Sequence, residues 1–205
     1  DKGVYVRSMA ARDRLGGLSD DTVAAVALMR AIFDRVLVES VGIGQSEADI
    51  SFAADTVVLC IQPGSGDSLQ FMKAGVMELP DIVVVTKADM GEVAKRARSE
   101  VEGALTLFTR EDDWVPPVVL VAAPTGEGLD ALHAALAAHR AHLGHERLAA
   151  RRAAQQATWI AESIRARFGS EGLKVARGMA IAAAGPFGRE REIAGRLGAA
   201  LDVLK

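Results

Sequence analysis

The sequence of 205 residues has a single cysteine, few aromatic residues and no long apolar run. With Cys60 alone, the chain cannot form an internal disulfide framework or a cysteine-based zinc site. No segment approaches the roughly 20 consecutive apolar residues that a membrane span requires, and the first residues carry no signal-peptide pattern. We therefore expect a cytoplasmic protein with no membrane partner.

A phosphate-binding loop is also missing from these residues. The P-loop signature ends in Gly-Lys followed by Ser or Thr, and no Gly-Lys pair occurs in the sequence. Each charge-assisted hydrogen bond of such a loop contributes roughly 1.5–3 kcal/mol, so the chain should bind a nucleotide weakly and cannot assemble the hydrolysis geometry. The sequence opens at Asp1 without methionine and runs at once into an apolar segment, so we expect a fragment or a chain whose N-terminal part is not included.

Positive charge is in slight deficit, since 24 Lys and Arg oppose 27 Asp and Glu. A generally basic nucleic-acid-binding protein is therefore not expected. Half of the residues are hydrophobic and a quarter are charged, as in ordinary soluble globular domains. The length fits one α/β domain with an extension.

Short runs of β-branched residues alternate with helical patterns along the first 144 residues. The runs are almost wholly apolar, which is typical of strands buried on both faces of a parallel sheet. We predict a doubly wound α/β fold, in which ligands bind beyond the carboxyl ends of the strands. The predicted strands are residues 36–38, 56–61, 82–85 and 118–121, and the predicted helices are 20–33, after a Ser19-Asp20-Asp21 cap, 67–78, 91–109 and 129–143.

The pattern changes after Gly144, where no further strand is predicted. Residues 145–168 predict one long helix, a break follows at 185–188, and a last helix covers 189–204. We therefore predict a partial nucleotide-binding domain at 1–144 and a helical extension at 145–205. The apolar stripe of the long helix comprises Ala153, Ala157, Ile160, Ala161, Ile164 and Phe168.

The loop after the third predicted strand reads Thr86-Lys87-Ala88-Asp89 and matches a guanine-recognition pattern. The Asp carboxylate can accept hydrogen bonds from guanine N1–H and the exocyclic amine, whereas adenine has no donor at these positions and would leave the carboxylate unpaired. The Lys stem can cover the base. A capped helix start would give a similar sequence, but the position of this loop directly after an apolar strand favours guanine recognition. After the fourth strand, Ala123 could offer its amide to guanine O6.

Two further loops contain polar residues that could sense phosphate. Glu39 ends the first predicted strand and lies three residues before Gly42, so its carboxylate could hold the hydration shell of Mg²⁺. A polar strand end before a glycine turn would look the same. In the loop and helix after the second strand, Asp67, Gln70 and Lys73 share one helical face, and Asp67 could equally be a helix cap on a solvated face.

Together these segments closely resemble the methylmalonyl-CoA mutase-associated GTPase family, a group related to metallochaperone GTPases. The resemblance covers residues 1 to about 168 well. It rests on the strings Glu39-Ser40-Val41-Gly42-Ile43-Gly44-Gln45-Ser46-Glu47, Pro63-Gly64-Ser65-Gly66-Asp67-Ser68-Leu69-Gln70, Lys73-Ala74-Gly75 and Thr86-Lys87-Ala88-Asp89.

The resemblance implies a protein that binds GTP and GDP with Mg²⁺ and slowly hydrolyses GTP, with the P-loop of the family expected upstream of Asp1. It further implies docking on an adenosylcobalamin-dependent acyl-CoA mutase, control of cofactor loading, and a homodimer formed through the helical arm. Carried over, Glu39 would be the Mg²⁺-site carboxylate. The guanine site would comprise Thr86, Lys87, Asp89 and Ala123, and the switch and phosphate-sensing residues would be Gly42, Gln45, Glu47, Asp67, Gln70 and Lys73.

Two other functions remain open. A metallochaperone for another metallocentre would need a metal-binding cluster, and His139, His142 and His145 recur at helical spacing, although such histidines are more often surface residues. A non-hydrolysing interaction module would bind its partner through the switch surface and the arm, and the missing P-loop favours that function if these residues are the whole protein.

Overall fold

A computed structural model of the chain describes residues 3–9, 18–40, 48–64, 76–108 and 113–202. Three parallel strands form its sheet in the order β1 (Val58–Ile61), β2 (Ile82–Val85) and β3 (Val118–Leu120). The register pairs Val58 with Ile82 and Val83 with Val118. All four residues of β2 are buried, as the unbroken apolar run predicted. The α/β fold with a parallel sheet is therefore confirmed.

Helices cover both faces of this sheet. On one face α3 (Glu92–Leu105) inserts Ala94, Ala97 and Val101 against Val83 and other strand residues. On the other face the first part of α4 (Leu129–Arg177) packs Ala135 and its neighbours against the opposite side chains of the same strands. Because strand side chains alternate between the faces, each face receives half of the apolar run. Burial on both sides explains why the strands lack polar alternation.

The remaining helices surround this core. Helix α1 (Asp20–Met29) is capped by Ser19, whose hydroxyl accepts a hydrogen bond from the Thr22 amide at 3.2 Å, as the cap cluster predicted. It ends four residues before the predicted end at 33, and α3 likewise ends at Leu105 and not at 109. Short helical segments are α2 (Ala48–Ser51) and the 3₁₀ turns Val76–Glu78 and Ala88–Met90. Most of the predicted helix 67–78 lies outside the described residues.

The extension is a pair of packed helices. Helix α4 contains non-helical backbone at Gly144 and Gly169, and the kink at Gly144 lies between the predicted helices 129–143 and 145–168. Helix α5 (Gly185–Asp202) starts earlier than predicted. The predicted break at 185–188 is instead the start of this helix. Pro186 fits the first turn, because the N–H that proline lacks would have no helical partner there. No helix in the described ranges combines the length and apolar character needed to cross a membrane.

The first predicted strand, at 36–38, is wrong. Residues 35–40 run without helix or strand structure after α1, and the Leu37 side chain is 99% exposed. A strand exists only when a neighbouring backbone completes its hydrogen bonds, and the three described strands do not pair with this segment.

Candidate functional site

Three loops meet at the carboxyl edge of the sheet. The Thr86 amide and hydroxyl, directly after β2, donate to the Ile61 carbonyl oxygen at the end of β1, at 2.8 and 3.2 Å. The Ala88 amide donates to the Val121 carbonyl oxygen after β3 at 3.1 Å. These bonds tie the guanine-type loop to both of its neighbours. Its position therefore depends on the sheet and not on the loop alone.

Lys87 and Asp89 present exposed side chains at this edge. Lys87 has a φ of 53°, in the left-handed region that a non-glycine residue rarely adopts. Such conformations cost free energy and are frequent at binding sites. Asp89 lies in the 3₁₀ turn Ala88–Met90, and within the described ranges its carboxylate accepts no hydrogen bond and forms no ion pair. The carboxylate is thus available to the donors of a ligand.

The loop after β3 is shaped by a tight turn that holds Ala123 at the surface. The Ala122 amide donates to the Glu127 carbonyl oxygen at 2.9 Å, and the Gly126 amide donates back to the Ala122 carbonyl oxygen at 2.9 Å. Gly128 has a φ of 79°, and a Cβ there would overlap the Leu120 carbonyl oxygen, so only glycine fits. The exposed Ala123 lies at the same edge as Asp89, as the guanine-site prediction requires.

The structure describes only some of the other predicted site residues. Glu39 is exposed in the segment without helix or strand that follows α1, and it does not end a described strand. The predicted switch and phosphate-sensing residues lie outside the described residues; they are Gly42, Gln45, Glu47, Asp67, Gln70 and Lys73. The predicted roles of all these residues stay predictions.

A buried charged cluster lies at the opposite, amino-terminal edge of the sheet. The Asp81 side chain, before β2, is fully buried and accepts hydrogen bonds from the Val57 amide at 2.8 Å and from Arg151 at 3.1 Å. Its Oδ1 lies 3.4 Å from His139 Nε2, and His139 Nδ1 lies 2.9 Å from the Thr56 hydroxyl. Burial alone would raise the pKa of Asp81, but these hydrogen bonds and the Arg151 charge outweigh burial and lower the pKa to about 2.

A second charged cluster joins α1 to α4. Arg152 donates two hydrogen bonds to the Asp55 carboxylate at 3.1 and 2.5 Å, and Arg30 lies 3.4 Å from the same carboxylate. Gln155 donates to the carbonyl oxygens of Ser51 and Ala54 and accepts from Arg30. Burial would raise the pKa of Asp55, but the hydrogen bond from Arg152 and the neighbouring positive charges lower it.

Both clusters join residues far apart in the chain and were not predicted from the sequence. The histidine prediction is also corrected. His139 is fully buried. His142 lies beside Trp114 with the ring planes tilted and the centroids 5.0 Å apart, and it pairs with Arg147. No group of three His, Cys, Asp or Glu side chains suited to a metal ion occurs in the part of the chain that the structure describes.

Comparison with known proteins agrees with these motifs. The family model described as "Methylmalonyl Co-A mutase-associated GTPase MeaB" matches residues 1–174. A Pyrococcus abyssi protein named "Putative GTPase" is 45% identical over 147 residues, which are 70% of this chain and 45% of that protein. A Caulobacter vibrioides protein of the same name is 37% identical over 80% of this chain and 51% of its own length.

A mammalian relative carries a more specific name. "Methylmalonic aciduria type A homolog, mitochondrial" of Mus musculus is 34% identical over 78% of this chain and 40% of its own length. The chain thus spans about half or less of the length of these curated relatives. Since the family model matches 174 of the 205 residues, the chain belongs to the family of methylmalonyl-CoA mutase-associated GTPases.

Proposed function

We propose that this protein binds GTP and GDP at the carboxyl edge of its sheet and acts as a GTPase chaperone of an adenosylcobalamin-dependent acyl-CoA mutase. The observation that carries the proposal is the exposed Asp89 carboxylate, which has no partner among the described residues, on a loop tied to both neighbouring loops. Membership of the family supports the mutase as partner. Control of cofactor loading and protection of the mutase are the roles we infer for the chaperone.

Guanine recognition follows from the chemistry of three loop residues. Asp89 accepts from N1–H and the exocyclic amine of the base, which makes a bidentate, charge-assisted contact. The Lys87 stem lies over the base or ribose, and the Ala123 amide donates to O6. Thr86 replaces the more common asparagine at its position. Its hydroxyl donates to the Ile61 carbonyl oxygen, so this side chain positions the loop and does not read the base.

The exposed Glu39 carboxylate is suited to Mg²⁺, which prefers oxygen ligands and keeps several of its waters. A bound Mg²⁺ would offset phosphate charge in the nucleotide. Glu39 would hold the hydrated ion and would link it to the neighbouring segment 40–47. We infer that segment 40–47 and residues 63–73 are the two switch regions. They would report the nucleotide state to the mutase.

We infer a homodimer formed through the arm, with an interface that differs from the predicted stripe. Ile164 is 1% exposed because Ile193, Ala194 and Leu197 of α5 in the same chain cover it. The exposed part of the stripe is Ala153 and Ala157. We expect Ala157→Arg to yield monomers by light scattering while the helical content stays unchanged, and a persistent dimer would place the interface elsewhere.

The guanine site is tested by nucleotide selectivity. The amide signals of residues 86–89 and 123 are followed by NMR during titration with GDP, ADP and xanthosine diphosphate. We expect a preference for GDP over ADP of at least about tenfold, since an unpaired carboxylate costs about 1–3 kcal/mol. Asp89→Asn should shift the preference to the xanthine nucleotide, whose carbonyl accepts from the new amide.

The matched control is Glu100→Gln, which removes an exposed carboxylate from α3, outside the site. It should leave the selectivity unchanged. Equal affinities for GDP and ADP, or an Asp89→Asn variant with unchanged selectivity, would contradict the guanine assignment. The non-hydrolysing interaction module would then be the better function.

A further inference from the structure

A pocket of about 300 Å³ lies away from the nucleotide edge, where α1 and α4 meet the residues after α2 and the start of α5. Its volume is at the lower end of the range for small-molecule sites. The apolar part of its lining comes from four separate regions of the chain and includes Val23, Ala27, Phe52, Trp159 and Phe187. No role in nucleotide binding involves these residues.

Positive charge exceeds negative charge at the polar end of this pocket. Arg30 and Arg152 both line it, and no acidic residue does so among the described residues. The two guanidinium groups share the single Asp55 carboxylate behind the pocket wall. Burial lowers the pKa of Arg30, the Asp55 charge opposes this effect, and the Arg152 charge adds to it. A partly buried excess of positive charge favours an anion beside it.

Hydrogen-bond donors at the same site are incompletely used. Arg152 donates to Asp55 through Nε and one terminal nitrogen, and its other terminal nitrogen has no partner within the described ranges. The Trp159 indole N–H is buried and likewise lacks a partner in that part of the chain. A buried donor without an acceptor is unfavourable, and a ligand acceptor beside it would relieve this.

We propose that this pocket binds a small carboxylate with an apolar aryl or branched alkyl body. The carboxylate lies at the Arg152 end, and the apolar body contacts Phe52, Trp159 and Phe187. The inference combines the apolar lining, the excess guanidinium charge and the donors that have no partner among the described residues. It is independent of the nucleotide site, which lies at the carboxyl edge of the sheet.

The test uses 4-phenylbutyrate and its neutral analogue 4-phenylbutan-1-ol, titrated separately into the full chain. The two tryptophans give two indole N–H signals in a nitrogen–proton NMR spectrum, which are assigned with Trp159→Phe. We expect 4-phenylbutyrate to shift the Trp159 signal saturably and to bind at least about fivefold more tightly than the alcohol. Trp114 does not line the pocket and its signal should stay in place.

Two substitutions separate charge from apolar contact. Arg152→Gln should weaken the carboxylate at least about fivefold and leave the alcohol unchanged, while Arg98→Gln, an exposed arginine of α3, should change neither affinity. If Arg152→Gln fails to fold, Phe187→Ala serves instead and should weaken both compounds. Equal affinities for the two compounds, an unmoved Trp159 signal, or equal shifts of both indole signals would overturn the proposal.

Discussion

Replacing Asp81 with asparagine should remove a measurable and pH-dependent part of the stability. Asp81 is fully buried at the start of β2 and binds Arg151, which lies 70 residues away on α4. Its carboxylate also accepts from the Val57 amide, at the start of β1. The Asp81→Asn variant keeps the size of the side chain and can still accept from Val57, so the main loss is the negative charge.

The magnitude follows from the shift of the Asp81 pKa from 3.8 to about 2. Since one pKa unit corresponds to about 1.4 kcal/mol, the charged form contributes about 2–2.5 kcal/mol to folding. The folded pKa lies below the unfolded one, so this contribution is present above pH 3.8 and is lost as the pH falls toward 2. At pH 7 the variant should lose about 2–3 kcal/mol, because Arg151 also loses its partner.

Urea unfolding at a series of pH values from 7 to 2 measures this contribution. The wild-type protein should lose about 2 kcal/mol more than Asp81→Asn as the pH falls through the acid range. Asp34→Asn, which removes an exposed carboxylate, is the control and should follow the wild type. If Asp81→Asn is as stable as the wild type at pH 7, the cluster does not hold α4 on the sheet by its charges.

Further predictions concern the backbone and the arm. Gly128→Ala should lower the free energy of unfolding, measured thermally, by at least about 2 kcal/mol, because a Cβ would overlap the Leu120 carbonyl oxygen. Gly103→Ala, where the space on α3 is open, should instead raise the free energy of unfolding by about 0.5–1 kcal/mol. Lys87→Gly should raise stability by about 1 kcal/mol in urea by relieving the left-handed backbone, and unchanged stability would show that the strain is absent. Ile164→Ala should lower the free energy of unfolding, followed by circular dichroism, by about 3–4 kcal/mol. Val175 is exposed, so Val175→Ala should lower it by less than about 1 kcal/mol, and equal losses would contradict the packing of α5.

Local sequence predicted the elements whose signals are local. Apolar β-branched runs identified the three paired strands, Ser19 identified the start of α1, and Gly144 identified the interruption of α4. These features depend on backbone propensity, capping and chirality within a few residues. The order of the loops along the chain also located Asp89 and Ala123 at the same edge, because all parallel strands end there.

Contacts distant in sequence were decided only by the tertiary structure. Asp55 and Arg152 are 97 residues apart, and no periodicity marks either as a partner. The run at 36–38 has the composition of a strand, yet strand formation requires a neighbouring backbone that composition cannot supply. The stripe of α4 was correctly identified as apolar, but only packing showed that α5 of the same chain covers Ile164. Sequence therefore determined which segments must be buried, and tertiary structure determined what buries them, because burial depends on surfaces that meet only after folding.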